Sequence, residues 1–292
     1  MKNIIVVTGG AGFIGSNLIK YLLKKTNLKI ISIDNYSTGK TKNHIDHKNV
    51  MYIRGENINI SKILYKSKKK IKVIFHFGEF SRIFQSFIRP KECLNSNINN
   101  SFEVINFASE NKIQIIYSAT SSALGNNGKD QNQSPYAWTK TKNIELIKNY
   151  SEWFNLKYEL VFFYNVYGPK QITDGPMSAL IGIFESQYKK KVPLTVVKPG
   201  LQRRDFTHVD DIVHGCYLAW TKGNQNEYML CTNKTYSILE IAKMFGSKFK
   251  FLKSRPGDRF GSIKSNNNAK KILGFIAKKD IKNYIKDFIS KN

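Results

Sequence analysis

The stretch SATSSALGNNGKDQNQSPYAWTKTKNIEL, residues 118–146, sets a tyrosine, Tyr136, four positions before a lysine, Lys140. Ser134 and Pro135 are residue types that cap and open a helix, so the two side chains stand one turn apart on one face. An ammonium beside a phenol favours the phenolate, and a phenolate with a lowered pKa is a general base. Thr120 heads a run of hydroxyls with Ser121 and Ser122 and adds a second polar group to the same stretch. On an exposed helix the same spacing is ordinary surface. The catalytic reading therefore depends on a cofactor site elsewhere in the chain.

Such a site is written near the N-terminus. TGGAGFIGS holds Gly9, Gly10, Gly12 and Gly15. Gly10, Gly12 and Gly15 fit G-x-G-x-x-G, and Gly9, Gly12 and Gly15 fit the related G-x-x-G-x-x-G. Glycines there permit the tight turn, let backbone approach a pyrophosphate, and pack the helix on the strand, while helix N-terminal amides meet the phosphates. Asp34 closes the next apolar run, nineteen residues after Gly15. A carboxylate at that distance hydrogen-bonds both ribose hydroxyls of NAD and repels the extra phosphate of NADP. The expected cofactor is NAD.

Positioning these groups requires a sheet. NIIVVTGG, KIISIDN, IKVIFHFG, KIQIIYSAT and YELVFFYNVYG read as strands, the first an apolar, β-branched run typical of a strand buried on both faces. FIGSNLIKYLLKK and the segments near 97–110 and 135–153 read as helices between them. Strand and helix alternating through short connections predict an α/β fold, a Rossmann-type doubly wound parallel sheet. After about residue 168 the pattern loosens, and DFTHVDDIVHGCYLAW reads as one more helix returning to the sheet. The expected division is a dinucleotide-binding domain over 1–167, with a returning segment at about 205–233. A smaller substrate-binding lobe takes 168–204 and 234–292.

Composition narrows the function classes. At 292 residues with 41% hydrophobic content the chain is long and apolar enough for a full core. The net charge of +26 raises nucleic-acid binding. However, the lysines are scattered, with runs only at 68–70 and 189–191, and no nucleic-acid motif is present. A positive field would instead attract an anionic nucleotide substrate. Cys93, Cys216 and Cys231 are odd in number and read as thiols of a reducing compartment. The five histidines form no metal-binding array. No run of apolar residues is long enough to span a membrane, and MKNIIVVTGG enters a strand at once without the apolar core of a signal peptide. The expectation is a cytoplasmic protein with neither nucleic acid nor membrane as partner.

Taken together, TGGAGFIG followed by DN, FHFGEFSRIFQSF, the hydroxyl before ALG, Tyr136-x-x-x-Lys140, YNVYGP, RRDFTHVDD and RPGD resemble the extended short-chain dehydrogenases that modify nucleotide sugars. The likeness covers nearly the whole chain, and the UDP-glucose and UDP-N-acetylglucosamine 4-epimerases are the nearest match. It implies that Tyr136 is the general base on the sugar 4-hydroxyl, that Lys140 holds the nicotinamide ribose, and that Thr120 bridges sugar and tyrosine. It implies a nucleotide-diphosphate site at Asn165, Arg204 and Arg255, and two arginines suit that task because their planar donors pair bidentately with phosphate. By the same resemblance the cofactor contacts extend over Gly9, Gly12, Phe13, Ile14, Gly15, Asp34, Asn35, Ser37, Thr38, Gly39, Glu56, Asn57, Phe77 and Asn97. The substrate contacts extend to Ser81, Arg82, Asp258 and Ser262. A homodimer through the helices near 97–110 and 135–153 is implied as well.

Departures from the family pattern bear on the reaction. Leu124 stands where a tyrosine is common, Glu56 replaces an aspartate, and the connection from Thr120 to Tyr136 is short and rich in Asn and Gln. A 4,6-dehydratase begins with the same C4 oxidation but carries Asp-Glu directly after the threonine, where Ser121 and Ser122 stand here. A decarboxylase glutamate is missing from the same segment. Epimerisation needs no further acid, so the expected activity is an NAD-dependent nucleotide-sugar 4-epimerase. The rivals are a dehydratase or other C4-oxidising enzyme and, from another class, a non-enzymatic NAD-binding regulator. Such a regulator could lose Thr120, Tyr136 or Lys140, and all three remain. By the resemblance, the position four after Asp258 lies beside the sugar C2 substituent. Ser262 there is small, which predicts that a UDP-N-acetylhexosamine is accepted as well as a UDP-hexose.

Overall fold

The computed structural model describes residues 2–124, 132–254, 256 and 267–292, so Arg255, Asp258 and Ser262 lie outside the described residues. The chain opens with β1 (Ile4–Thr8), α1 (Phe13–Lys25), β2 (Lys29–Asp34), β3 (Val50–Arg54), a short α2 (Ile60–Ile63) and β4 (Ile71–His76). It continues through α3 (Ile83–Ile88), α4 (Pro90–Leu94), α5 (Asn100–Glu110), β5 (Gln114–Thr120), α6 (Pro135–Phe154) and β6 (Tyr158–Phe163). Then come α7 (Leu180–Lys189), β7 (Leu194–Val197), β8 (Arg203–Asp205), α8 (Val209–Lys222) and β9 (Glu227–Leu230). The last elements are β10 (Thr235–Ser237), α9 (Ile238–Met244), β11 (Phe249–Leu252), α10 (Asn268–Leu273) and α11 (Ile281–Ser290).

Seven strands form one parallel sheet in the order β3-β2-β1-β4-β5-β6-β9. All five residues of β1 are buried. Val6 packs with Ile31, Ile33 and Tyr117 on one face, while Ile5 and Val7 pack with Leu18, Leu22 and Phe75 on the other. The two-residue alternation thus feeds two cores, which is why the strand reads as an uninterrupted apolar run. From β1 the chain builds outward to β2 and β3, then crosses to β4, β5 and β6. The order therefore reverses between β1 and β4, and a crevice opens beyond their carboxyl ends.

The remaining elements build a smaller lobe. β7 pairs parallel with β11, β8 antiparallel with β10, and Phe184, Leu194, Phe245 and Ile285 belong to a third core of their own. Three details differ from the sequence expectation. The helix expected over 97–110 is α4 followed by a π-turn at Asn95–Asn99 and then α5, and the wider turn carries Asn97 inward. The stretch 234–292 does not stay wholly with the small lobe. Ala269, Leu273 and Phe275 pack with α8 residues Ile212 and Cys216 against the sheet, because α10 is apolar on the side that meets β9 and α8. β9 joins the edge of the sheet beside β6 and adds a strand to those expected. Among the described residues, no helix is long and apolar enough to cross a membrane.

Candidate active site

The glycine turn between β1 and α1 is closed by backbone. Gly9 has φ +71°, and a Cβ on it would lie 2.8 Å from the Gly78 amide nitrogen. A Cβ on Gly15 would lie 2.2 Å from the Gly9 carbonyl oxygen, so α1 could not start where it does. Gly12 caps α1 without a side-chain acceptor, which leaves first-turn amides directed at the crevice. Asp34 ends β2 with 6% exposure and accepts from the Ala11 amide through Oδ2 at 2.9 Å and from the Tyr36 amide through Oδ1 at 2.8 Å. Burial holds its carboxyl above the usual carboxylate range, and the Tyr36 and Ala11 amides offset part of that rise. The cradle of glycines, free amides and a terminal strand carboxylate fits a dinucleotide.

This turn forms one end of a cleft of about 1530 Å³. Pockets that hold one small ligand typically enclose roughly 300–1,000 Å³, so the cleft has room for a cofactor and a second ligand. Gly9, Gly12, Phe13, Ile14, Gly15, Asp34, Asn35, Ser37, Thr38, Glu56, Asn57 and Phe77 line one part of it. Ser81, Arg82, Thr120, Tyr136, Lys140, Asn165 and Arg204 line the same cleft. The structure does not put the other two expected cofactor contacts on the cleft wall. Asn97 is fully buried. Its side chain accepts from the Phe80 amide at 2.7 Å and donates to the Phe80 carbonyl at 3.1 Å and to Thr139 Oγ1 at 3.1 Å, so it braces the wall from behind. Gly39 packs on the back of Asp34, where a Cβ would lie 2.7 Å from Oδ1.

The tyrosine and lysine are delivered by α6. Ser134 Oγ accepts from the Ala137 amide at 3.0 Å and Pro135 opens the first turn, the cap the residue types imply. Tyr136 is 9% exposed, its amide donates to Ser86 Oγ at 3.2 Å, and its ring packs with Phe80 and Cys93. Thr120, at the end of β5, accepts from the Ser122 amide at 3.1 Å and caps the turn that buries Ser121 and Ser122. Arg82 donates from Nε to the Met177 carbonyl and from Nη1 to the Ser81 carbonyl, both at 2.7 Å. Burial pulls its guanidinium down from the usual range, and the nearby Tyr136 phenol opposes this. Asn165 Nδ2 donates to the Asp205 carbonyl at 2.8 Å, and Arg204 Nη1 to the Arg203 carbonyl at 2.9 Å.

Lys140 holds a partner that sequence reasoning missed. Its ammonium donates to the Glu79 carboxylate, to the Ser118 carbonyl and, at 3.3 Å, to the Tyr117 hydroxyl oxygen. The Glu79 and Lys140 side chains are 2% and 4% exposed. Glu79 Oε1 also accepts from Ser101 Oγ at 2.8 Å, Tyr117 OH at 2.9 Å and Asn143 Nδ2 at 3.0 Å. Behind Ser101 stands His76, whose Nε2 lies 2.9 Å from Ser101 Oγ and whose Nδ1 lies 2.7 Å from Thr8 Oγ1. Burial lowers the His76 pKa to about 4, with Glu79 opposing. With Ser101 donating to Glu79, the consistent assignment has Thr8 donating to Nδ1 and Nε2–H donating to Ser101. The available signal was a charged residue at the end of the apolar run IKVIFHFGEF. Only its meeting with α6 gives that residue a role.

Fold and site together define an enzyme of the dinucleotide-binding, tyrosine–lysine class. Residues 5–232 match the model of the NAD dependent epimerase/dehydratase family. The chain belongs to that family, whose members are NAD-dependent nucleotide-sugar epimerases and dehydratases, and NAD is its cofactor. It is 32% identical to the uncharacterized UDP-glucose epimerase YtcB of Bacillus subtilis over 231 residues, covering 72% of this chain and 70% of that one. It is 28% identical to the dTDP-D-glucose 4,6-dehydratase of Bos taurus, covering 82% and 71%. Among solved structures, UDP-N-acetylglucosamine 4-epimerase from Methanobrevibacter ruminantium, in complex with UDP-N-acetylmuramic acid, superposes with a TM-score of 0.87 at 27% identity over 100% of both chains.

Proposed function

We propose that this protein is a nucleotide-sugar 4-epimerase. The observation that carries the reading is the arrival of Tyr136, Lys140 and Thr120 in the same cleft as the glycine turn. Tyr136 takes the proton of the sugar 4-hydroxyl and later returns it, Thr120 orients that hydroxyl, and Lys140 supports the phenolate and the cofactor ribose. Bound on the β1–α1 turn beside Asp34, NAD supplies the hydride acceptor and donor at C4. Asn165 and Arg204, which line the cleft, hold the diphosphate with Arg255. The chain's +26 charge favours such an anion.

The specific observation against a dehydratase is the turn after Thr120. It holds the buried hydroxyls Ser121 and Ser122 where elimination needs an acid pair. The Glu79 carboxylate nearby is engaged by Lys140. The likeness to both dehydratases and epimerases makes this the reading to test. Purified protein incubated with NAD and a panel of UDP-, dTDP- and GDP-sugars is expected to give C4 epimers of unchanged mass by NMR and mass spectrometry. A product lighter by one water overturns the epimerase reading in favour of the dehydratase.

The substrate reading extends to a UDP-hexose or UDP-N-acetylhexosamine. The acetylated sugar rests on the small Ser262 and draws support from the 27% identity to a UDP-N-acetylglucosamine 4-epimerase. Residues 1–167 with 205–233 carry the cofactor in this proposal, and most of the remainder carries the nucleotide sugar. A homodimer through α5 and α6 is supported by Phe102, Trp138, Trp153 and Phe154, which remain exposed on those helices. A cytoplasmic setting is supported by three buried cysteines, all free.

A further inference from the structure

We infer that Glu79 is a positioning residue for the reaction proposed above: it anchors the Lys140 ammonium on the cleft floor and offsets the field that ammonium exerts on the Tyr136 phenol. An ammonium has three donors. Glu79, the Ser118 carbonyl and the Tyr117 hydroxyl oxygen take all three, and the cation also lies 4.5 Å from the centroid of the Tyr117 ring. A lysine so held is fixed in place, yet it gives a hydrogen bond to a ribose or a phenolate only by releasing one of those acceptors. Its charge is also opposed at contact by a carboxylate shielded from water, where screening is weak.

The groups around the pair leave Glu79 as the counterweight. From β4, His76 is held neutral at ordinary pH, its pKa lowered to about 4. From β5, the Tyr117 phenol is pushed well up by burial and by Glu79. From α4, the Cys93 thiol is raised to about 11 by burial, while Ser101 from α5 and Asn143 from α6 are uncharged. From the loop before α3, the Arg82 guanidinium interacts electrostatically with Tyr136. Glu79 is the group in direct contact with Lys140 whose removal changes the sign balance at the tyrosine without touching the tyrosine, the lysine or Arg82.

The test uses the full chain and reads Tyr136 directly. Tyrosinate absorbance is titrated in each protein against the same protein carrying Tyr136→Phe, so the difference reports Tyr136 alone. Glu79→Gln is expected to move that ionisation down by about one pH unit, because an opposing charge has been removed. The acid limb of kcat/KM should move with it. Glu79→Asp keeps the charge but retracts it, so its shift should be smaller and in the same direction. A merely structural Glu79 would lower activity at every pH and leave the ionisation where it was. An unmoved or upward-shifted ionisation in folded Glu79→Gln overturns the inference, as does a shift in Glu79→Asp equal to that of Glu79→Gln. If Glu79→Gln does not fold, an unmoved ionisation in Glu79→Asp overturns it alone. The titration needs no substrate, so failure of the wild type to convert any nucleotide sugar would remove the proposed function and leave this result readable.

Discussion

Two carboxylates stand at the carboxyl ends of the strands that flank β1, Asp34 as the last residue of β2 and Glu79 three residues past β4, and they are buried in opposite ways. Asp34, on β2, is met by the backbone amides of Ala11 and Tyr36. Amides are fixed dipoles without net charge, so the carboxylate keeps its negative field and presents it to whatever occupies the cleft. Glu79, just beyond β4, is met by the Lys140 ammonium and by three neutral donors. Its charge is turned inward and cancelled within the chain. Both are acids near the carboxyl ends of interior strands, but in the proposed reading the first end of the cleft selects a ligand and the second tunes a side chain of the protein.

Breaking the second end at its centre should have the largest effect. Tyr136→Phe removes the proton-transferring oxygen but keeps the ring against Phe80 and Cys93, and turnover should fall about a thousandfold, ~4 kcal/mol in the barrier. NAD affinity, set at the other end, should stay within a few-fold by calorimetry. Turnover close to wild type would remove Tyr136 from the chemistry. A parallel loss of NAD binding would show that the two ends are not separable.

The hydrogen-bonded histidine behind Glu79 and Ser101 should reveal itself in stability. His76 is fully buried with a pKa lowered from 6.5 to about 4. Above pH 6.5 the ring is neutral folded or unfolded and imposes no cost. As pH falls from 6.5 towards 4 the unfolded chain takes up a proton that the folded one refuses, so stability drops by about 3 kcal/mol across that window. Urea midpoints measured over this range should fall more steeply for the wild type than for His76→Asn, which cannot titrate. Equal slopes would mean that the ring is not held neutral by its burial.

The smallest expected effect is at the first end. Asp34→Ala should weaken NAD by about 2 kcal/mol, the worth of a charge-assisted hydrogen bond, and narrow the preference over NADP because the repelling charge is gone. Calorimetry on apoprotein checks both. A wild type that already prefers NADP would show that the outward field of Asp34 does not set the choice.

Much of this molecule is legible along the chain because its physics is local. A strand buried on both faces must be apolar throughout, as Ile4–Thr8 is. A backbone turned as tightly as at Gly9 and Gly15 excludes a Cβ. A helix capped by Ser134 and opened by Pro135 puts Tyr136 and Lys140 on one face wherever that helix lies. The spacing from Gly15 to Asp34 is likewise that of one helix, α1, and the strand that follows it. Each of these features is set within about twenty residues, where periodicity and residue type suffice.

What tertiary structure decided are the meetings between distant segments. Glu79 and Lys140 are 61 residues apart, and Arg82 and Met177 are 95 apart. Nothing in the type or spacing of those residues announces either contact. Asn97 has the polarity of a ligand contact, yet the π-turn carries it behind the wall to brace Phe80 and Thr139. Residues 268–275 lie between small-lobe segments in sequence but close over α8 against the sheet. By itself the sequence determined the elements, the glycine turn and the tyrosine–lysine pair, since each is a property of one short segment. Only the folded chain decided which buried charge meets which. A buried carboxylate's effect depends on whether dipoles or a cation surround it, and those partners come from other elements of the fold.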